Sequence, residues 1–552
     1  MAYMAHAAEP TLDEQIGQTI VAGFTGTDVS PDIVDLIQND KVGGVILFSR
    51  NIRDARQLLD LTTALQEAAR AAGHRHPLLI TTDQENGMVR RLGAGTTVFP
   101  GNMALGAIGA EDVAHAIALA TGRELAALGV NLNLAPVVDV NNNPANPVIG
   151  VRSFGEDPAQ VARLGAATVR GYHEAGVMTC LKHFPGHGDT AVDSHLDLPV
   201  VPHTLDRLER VELVPFKAAI AAGADSVMVA HIHFPHLMPH DALPATLSPA
   251  IVRGLLRERL GFAGVIVSDC LEMDAVAETV GTERGAVLGL QAGLDLIFVS
   301  HTYARQKDSI AAIRAAVRSG ELVEDTVRAA ADRVARLKER YLSWDALPGP
   351  AVSDWVGGDA HRRLAAGACE RAVTLLRDDA GLVPLRLRPA ERLLVLSPRG
   401  EAVTRAEDSR ELADVFAACL RRRHPCVEDM PVSLAPSEDE QEALLRAAAE
   451  SAVVIMATVN AHLYPRQAEV MRRLVASGRR VVGVAVRNPY DLLAFPQLGT
   501  YLATYENTAP MLEAAARVLC GEVEPRGRLP VSLPGLYRTG QQAEARPESQ
   551  QG

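Results

Sequence analysis

The chain has 552 residues, which is more than one ordinary domain needs, so two or three domains are expected. Hydrophobic residues make up 47% of it and aromatic residues only 4%, which predicts a large and mainly aliphatic core. The net charge of −13, without any basic block, argues against nucleic acid or an anionic membrane as the main partner.

The N-terminal segment and the cysteines indicate the compartment. The first residues, MAYMAHAAEPTLDEQ, have neither the charged nor the apolar region of a secretory signal. No apolar run approaches the roughly 20 residues of a membrane span. The six cysteines are scattered and form no CxxC pair, so neither a disulfide framework nor a structural zinc site is expected. These features predict a cytoplasmic protein.

Apolar, strand-like runs alternate with helical patterns through the first 300 residues. Eight runs occur, at 19–24, 44–48, 78–83, 131–139, 179–184, 226–231, 265–269 and 294–299. Apolar residues at helical spacing lie between them, most clearly at 54–71, 111–128 and 158–175. Continuous apolar strands that alternate with helices indicate a parallel sheet covered on both faces. Eight such units predict a (β/α)8 TIM-like barrel, and a doubly wound sheet is the alternative.

Polar residues stand where these strands end. They are Ser49, Arg50, Asn51, Asp83, Asp139, Lys182, His183, His231, Asp269, Ser300 and His301. In a barrel, the carboxyl ends of all strands meet on the face that carries the active site. Any one of these residues, taken singly, is also compatible with a solvated loop or a helix cap.

The rest of the chain predicts a second, smaller domain. After a barrel domain at 1–343, the Pro- and Gly-rich sequence at 344–358 begins a linker that we place at 344–371. Strand-like runs at 392–396, 453–459 and 481–486 alternate with helical segments at 441–450 and 510–519. They predict an α/β sandwich of parallel character at 372–540. The polar tail at 541–552 is expected to be disordered.

The segment KHFPGHGDTAVDSH at 182–195 is the first candidate for chemistry. His195 stands two residues after Asp193, so the carboxylate could orient the imidazole and favour its protonated form. Such a ring can give a proton to a leaving oxygen and then accept one from an incoming nucleophile. The spacing leaves a pair that merely stabilises the loop equally possible.

Asp269 is the second candidate. An apolar strand delivers its carboxylate to the rim of the predicted barrel, where it could attack an anomeric carbon. The alternative is that Asp269 caps the following helix. Glu272 and Asp274 lie beyond the strand end, where a helix-start or solvent role is more natural.

Several segments together resemble glycoside hydrolase family 3, in its β-N-acetylglucosaminidase (β-N-acetylhexosaminidase) branch. In the barrel they are GGVILFSRNI at 43–52, TTDQENGMVRRL at 81–92, APVVDVNNNPANPVIGVRSFGEDP at 135–158, KHFPGHGDTAVDSH, and VSDCLEM at 267–273. The second domain adds RNPYDLL at 487–493 and GEVEPRGRLPVSLPG at 521–535. The resemblance spans nearly the whole chain, and the conjunction of these segments in this order is highly specific.

The resemblance implies a retaining exo-β-N-acetylglucosaminidase that works through a covalent glycosyl–enzyme intermediate. Its substrates would be terminal β-linked N-acetylglucosamine in muropeptides, as in peptidoglycan recycling, or in chitooligosaccharides. Asp269 is implied as the nucleophile and His195 as the acid/base, with Asp193 as its partner. The implied −1 subsite consists of Asp83, Arg91, Arg152, Lys182 and His183. No cofactor or metal is implied, and the second domain is expected to leave the catalytic pocket alone.

Two residues depart from the family pattern. Asn86 stands where the family usually has Gly, and Asn is the residue other than Gly that best tolerates a positive φ. Cys270 follows the implied nucleophile where the motif often has Asp. Strand alternation predicts that its side chain points to the opposite side of the strand. Neither departure is expected to abolish activity.

The sequence leaves several other functions as alternatives. His231, His233, His236 and His240 are dense enough for a metal-dependent hydrolase, but Pro235 and Pro239 break the segment into a loop. A non-catalytic sugar-binding protein normally lacks a catalytic group, and none is missing here. A β-glucosidase is a further alternative. A phosphorylase of the same family is the nearest rival, because a histidine acid/base does not repel phosphate.

Overall fold

The computed structural model describes residues 9–193, 197–239, 242–399, 403–404, 406–407 and 414–543. Eight parallel strands close into a barrel, and a separate six-stranded sheet follows. The predicted (β/α)8 barrel is therefore confirmed, and the doubly wound alternative for the first half is wrong. No helix in the described part of the chain is long and apolar enough to cross a membrane.

All eight predicted barrel strands form, most of them slightly shorter than the apolar runs. They are β1 (Ile20–Ala22), β2 (Gly44–Leu47), β3 (Leu79–Thr82), β4 (Leu132–Asn133), β5 (Met178–Phe184), β6 (Ser226–Val229), β7 (Val265–Cys270) and β8 (Leu296–Val299). The run at 131–139 shortens most, because Pro136 has no N–H to donate to a neighbouring strand. Pairing of β1 with both β2 and β8 closes the barrel.

Helices cover the outside of the barrel. They are α1 (Leu12–Gln18), α2 (Pro31–Gln38), α3 (Ala55–Ala71), α4 (Asn102–Ile108), α5 (Glu111–Ala127), α6 (Pro158–Glu174), α7 (Leu205–Arg210), α8 (Leu213–Ala221), a π-helical segment (Ala250–Arg259), α9 (Asp274–Ala277), α10 (Thr282–Ala292), α11 (Tyr303–Ser319) and α12 (Glu324–Tyr341). Helix α3 begins directly after Asp54, whose side chain accepts a hydrogen bond from the Gln57 N–H and so caps the helix.

The second domain is built on a mixed sheet. Its strands are β9 (Thr374–Asp378), β10 (Leu393–Pro398), β11 (Val427–Val432), β12 (Val453–Thr458), β13 (Val481–Ala485) and β14 (Thr500–Ala503), in the order β11-β10-β12-β13-β14-β9. Its helices are α14 (Val415–Arg421), α15 (Glu438–Ala449), α16 (Pro465–Ala476), a 3₁₀ turn (Pro489–Ala494) and α17 (Ala509–Leu519). Five strands run parallel as expected, and the edge strand β9 pairs antiparallel with β14.

The segment that we predicted to be a linker contains a helix. Residues Asp359–Ala372 form α13, which buries Ala365, Ala368, Cys369 and Ala372 at helical spacing. The preceding residues run along the barrel, where Trp344 donates its indole N–H to the Arg75 carbonyl at 3.2 Å. Of the tail, only residues 541–543 are described, and the Ala543 N–H donates to the Leu375 carbonyl at 2.7 Å. The rest of the tail lies outside the described residues.

The two domains share part of a hydrophobic core. Aliphatic residues fill the barrel interior and the layer between its strands and helices. The core of the second sheet also takes in four residues of the first half, namely Met103, Ala104, Ala107 and Val151. Helix α4 is therefore packed into the second domain, next to the loop that carries Arg152.

Candidate active site

A cavity of about 480 Å³ opens at the carboxyl ends of the barrel strands. Six of the predicted site residues line it: Asp83, Arg91, Arg152, Lys182, His183 and Asp269. Asp193 is buried in the loop after β5 and does not line the cavity. His195, the predicted acid/base, lies outside the described residues.

A buried carboxylate, Glu85, joins the cationic residues of the cavity. Arg152 binds it in a bidentate way, with Nε donating to Oε2 at 2.8 Å and Nη2 donating to Oε1 at 2.7 Å. Lys182 Nζ lies 2.7 Å from Oε1 of Glu85 and 2.6 Å from Oδ1 of Asp83. Two carboxylates and two cations thus form one connected network on the cavity floor, and planar bidentate pairing fixes its geometry.

The network holds Glu85 and Lys182 in their charged forms. Burial raises the pKa of Glu85, but Arg152 and Lys182 outweigh burial and hold that pKa well below its ordinary value. Burial lowers the pKa of Lys182, but Asp83 and Glu85 outweigh it and raise the pKa above its ordinary value. The cavity therefore offers a fixed ammonium and a fixed guanidinium beside carboxylates, which suits the hydroxyl groups of a sugar.

His183 is oriented by a second buried carboxylate. Its Nδ1 lies 2.8 Å from Oδ2 of Asp139, and its Nε2 lies 3.3 Å from Nη2 of Arg152. The Asp139 carboxylate can only accept, so His183 Nδ1–H donates to it, and this contact fixes the orientation of the ring. Asp139 also accepts the backbone N–H of His187 at 2.7 Å, and burial, followed by the nearby His183, lowers the pKa of the His187 imidazole to about 4.

Asp269 lies within β7, near its carboxyl end, half-buried at the cavity. Its Oδ1 accepts the Cys270 N–H at 2.7 Å. The alternative role as a helix cap is wrong, because the next helix begins at Asp274 and is preceded by Met273. The Glu272 carboxylate accepts the backbone N–H groups of His301 and Thr302 and so ties two strand-end loops together.

The two departures from the family pattern have different outcomes. Asn86 has a φ of +72°, as expected, and its Nδ2 donates to Thr121 Oγ1 at 3.0 Å. Cys270 is among the residues that line the cavity, although strand alternation predicted that it would turn away. The register between β7 and β8 shifts between Val267 and Cys270, which breaks the alternation. Burial raises the pKa of the Cys270 thiol to about 12, so the thiol stays protonated.

The second domain reaches the cavity, which corrects the expectation that it would leave the pocket alone. Ala406 and Glu407 line the cavity wall, and Arg91 Nη2 donates to the Ala406 carbonyl at 2.7 Å. The Glu407 carboxylate forms a buried ion pair with Arg487, which follows β13. The same loop places the Asn488 side chain directly against Gly150, two residues before Arg152.

Sequence reasoning missed three cavity residues, Glu85, His187 and Glu407, and it gave Glu272, which also lines the cavity, a helix-start or solvent role. The signal for Glu85 was its position two residues after Asp83, and His187 lies within the quoted 182–195 segment. Nothing in the sequence around Glu407 indicates that it reaches the barrel. Arg50, noted only as a strand-end residue, also lines the cavity and donates to the carbonyls of Phe24 and Ser300.

Two of the four histidines named as possible metal ligands, His231 and His233, have other contacts in the structure. His231 Nδ1 lies 2.8 Å from Thr246 Oγ1, and its Nε2 lies 2.9 Å from the Cys270 carbonyl. His233 Nδ1 lies 3.3 Å from the Leu243 carbonyl. Within the described ranges, which exclude His240, no three His, Cys, Asp or Glu residues form a group suited to a metal ion.

A (β/α)8 barrel whose cavity combines a strand-end carboxylate with fixed cations and carboxylates is an arrangement typical of a carbohydrate-cleaving hydrolase. The family model described as "Glycosyl hydrolase family 3 N terminal domain" matches residues 11–337. The model described as "Glycosyl hydrolase family 3 C-terminal domain" matches residues 284–550. The chain belongs to glycoside hydrolase family 3. Because the two matches overlap, the division of the chain into domains at residues 343, 371 and 540 stays a prediction.

Individual relatives cover the chain to different extents. Beta-hexosaminidase A of Pseudoalteromonas piscicida is 32% identical over 92% of both chains. Beta-hexosaminidase of Stenotrophomonas maltophilia (strain K279a) is 37% identical, but it aligns with only 62% of this chain while 97% of its own length is covered. The solved structure of a glycoside hydrolase family 3 beta-N-acetylglucosaminidase from Paenibacillus sp. str. FPU-7 is 41% identical, with a TM-score of 0.90 over 95% of this chain and 99% of that chain.

Proposed function

We propose that the chain is a retaining exo-β-N-acetylglucosaminidase that releases terminal β-linked N-acetylglucosamine. The observation that carries the proposal is the placement of Asp269 in one cavity with the Asp83, Glu85, Arg152 and Lys182 network. The names of the relatives, beta-hexosaminidase and beta-N-acetylglucosaminidase, support the choice of sugar.

The proposed reaction has two displacements at the anomeric carbon. Asp269 attacks that carbon, the glycosidic bond breaks, and the leaving oxygen takes a proton from His195. Water then attacks the glycosyl ester, gives its proton back to His195 and frees Asp269. Two inversions give net retention, so the first product is the β anomer. Asp193 serves in this proposal as the partner that orients the His195 ring.

The cavity network would bind the sugar during both steps. Asp83 Oδ1 and Lys182 Nζ lie 2.6 Å apart, so an acceptor and a donor stand side by side. A sugar hydroxyl both donates and accepts hydrogen bonds, so adjacent hydroxyl groups can bind to this pair. Arg152, His183 and Arg91 add donors and an acceptor around the same space. Contacts that strengthen as the oxocarbenium-like transition state develops lower the barrier rather than only tighten binding.

We further propose a cytoplasmic role on released muropeptides or chitooligosaccharides. All six cysteines are unpaired, and such thiols persist in a reducing compartment. A partner other than the small glycoside is not part of the proposal, and neither a cofactor nor a metal is needed for the two displacements.

The decisive experiment compares aryl β-N-acetylglucosaminide with aryl β-glucoside as substrates of the wild type. We expect the acetamido sugar to be cleaved faster, and proton NMR to show the β anomer first. Asp269→Ala should abolish turnover, and added azide should restore aryl release by forming the α-glycosyl azide in the vacated space. Glu278→Gln, at an exposed position, is the matched control that should keep full activity. Faster cleavage of the glucoside or full activity of Asp269→Ala would refute the proposal.

Phosphorolysis is the second candidate, because a histidine acid/base, unlike a carboxylate, carries no negative charge that would repel an approaching phosphate anion. In that case phosphate replaces water in the second displacement and the product is the sugar 1-phosphate. Adding phosphate during turnover and following phosphorus NMR separates the two outcomes. We expect free sugar as the main product, and a dominant sugar 1-phosphate signal would replace hydrolysis by phosphorolysis.

A further inference from the structure

A second cavity, of about 660 Å³, lies on the opposite side of the barrel from the catalytic cavity. It is lined by Val130 and Asn131, which directly precede β4, and by Gly176, which precedes β5. These positions mark the amino ends of the strands, whereas the catalytic cavity lies at their carboxyl ends. Helices α3 and α5 form one wall, and residues 341–355 form the other. We call this cavity the rear groove.

Both tryptophans of the chain line the rear groove. Trp355 is 44% exposed, which is unusual for so large an apolar side chain. Trp344 is half-buried, with its indole N–H bonded to the Arg75 carbonyl and the Arg70 guanidinium 5.8 Å from its ring centroid. One indole is thus fixed by its contacts, and the other presents a large part of its surface to solvent.

The charged residues of the rear groove balance each other. Arg70 and Arg123 are matched by Glu67 and Asp345, and all four are exposed. Glu67, Arg70 and Arg123 form no ion pair with any other residue in the described part of the chain. Their donors and acceptors are therefore available, and the lack of a net charge disfavours a polyanion or a strongly charged ligand.

We propose that the rear groove is a second, non-catalytic binding site for a neutral oligosaccharide of β-linked N-acetylglucosamine. The apolar C–H faces of a pyranose ring pack on an exposed indole, while its hydroxyl and amide groups need nearby donors and acceptors. Trp355 supplies the indole, and Arg70, Glu67 and Arg123 supply the polar groups. The choice of this sugar rests on the proposed function, and the groove would hold the enzyme on a polymer without taking part in the reaction.

Intrinsic fluorescence tests the proposal directly, because both indoles lie in the rear groove and no tryptophan lines the catalytic cavity. Chitotriose is titrated into Asp269→Ala, which cannot turn the sugar over. We expect a saturable change in the tryptophan emission. In Asp269→Ala/Trp355→Ala the apparent Kd should rise at least about tenfold, a loss of about 1.4 kcal/mol. Cellotriose, which lacks the acetamido groups, should bind more weakly.

Two further variants guard against a folding effect of the tryptophan change. Glu67→Gln and Arg70→Gln alter exposed side chains and keep both tryptophans, although Arg70→Gln also removes the guanidinium beside the Trp344 ring. Each should weaken the chitotriose titration several-fold. On the otherwise wild-type chain, Trp355→Ala and Arg70→Gln should leave kcat for the aryl substrate unchanged. No emission change with chitotriose, or an unchanged Kd in all three groove variants, overturns the rear-groove proposal. If the wild type does not cleave the aryl substrate but chitotriose still changes the tryptophan emission, the proposed function is overturned instead.

Discussion

Replacement of Glu85 by Gln tests how much the negative charge at the centre of the buried network contributes to stability and to activity. Glu85 is buried, with 5% of its surface exposed, and it accepts from Arg152 and Lys182 at 2.7–2.8 Å. Gln keeps the shape and one acceptor oxygen but places an amide N–H₂ against two cations. The charge that holds both cations in position is lost, while Asp83 still contacts Lys182.

The cost follows from the burial of the network. Removal of one partner of a buried, hydrogen-bonded ion pair costs about 3–5 kcal/mol, because an uncompensated charge stays behind. Asp83 and Asp139 compensate part of it, so we expect Glu85→Gln to lower the free energy of unfolding by about 3 kcal/mol. If half of that is also lost in the transition state, kcat/KM falls about tenfold. The pKa of Lys182 should fall towards its ordinary value or below it.

Urea unfolding and steady-state kinetics on the aryl substrate measure the two effects in parallel. Glu278→Gln, an exposed change of the same chemistry, is the control and should match the wild type in both. A positioning role also predicts a pH profile of kcat/KM whose alkaline limb moves to lower pH in Glu85→Gln, because Lys182 loses its proton earlier. A wild-type urea midpoint together with an unchanged kcat/KM and pH profile would refute the reasoning about this network.

Three further predictions concern other buried groups. Burial lowers the pKa of Lys338 to about 7, so below pH 7 the folded chain carries the cost of a buried ammonium, which its hydrogen bond to Gln18 Oε1 at 2.8 Å offsets only in part. Lys338→Met removes both the ammonium and this hydrogen bond, and it should raise stability by a few kcal/mol at pH 6, on the order of 2–4. The gain should shrink as the pH rises above 7 and be gone near pH 10.5, as thermal melts across pH can check. Asp139→Asn should leave His183 poorly oriented and reduce kcat/KM by about tenfold to a hundredfold, chiefly through KM. In Gly188→Ala the new Cβ would stand 1.7 Å from a backbone carbonyl oxygen, so we expect a loss of at least about 1–3 kcal/mol in urea unfolding, whereas Gly367→Ala, with open space around it, should not destabilise the chain.

The barrel could be predicted because its signals are local. Each parallel strand is a short apolar run, and each flanking helix repeats apolar residues at its own period, so both are visible within one window of sequence. Helices α5 and α6 appear within one residue of the predicted ends. Strand β4 was overestimated because Pro136 lies inside an otherwise apolar run. Strand β9 was missed, since an edge strand with half-buried residues lacks the continuous apolar pattern.

The site was predictable only where residues stand at strand ends. Lys182, His183 and Asp269 follow from that rule, and the family resemblance added Arg91 and Arg152. Glu85 escaped because its partners lie 67 and 97 residues further along the chain, and only the folded barrel brings them together. Glu407 escaped because its role depends on how the second domain packs on the barrel, which no local pattern encodes.

The packing of α4 against the second sheet has a consequence for engineering. Met103, Ala104 and Ala107 count among the core residues of the second domain, although they precede most of the barrel in sequence. A chimera that joins this barrel to the C-terminal half of another protein at the end of α12 would cut through a single core. A segment exchanged together with the second domain should therefore include α4 and the turn at Gly150–Arg152. A chimera without them would place side chains of different origin in one hydrophobic core.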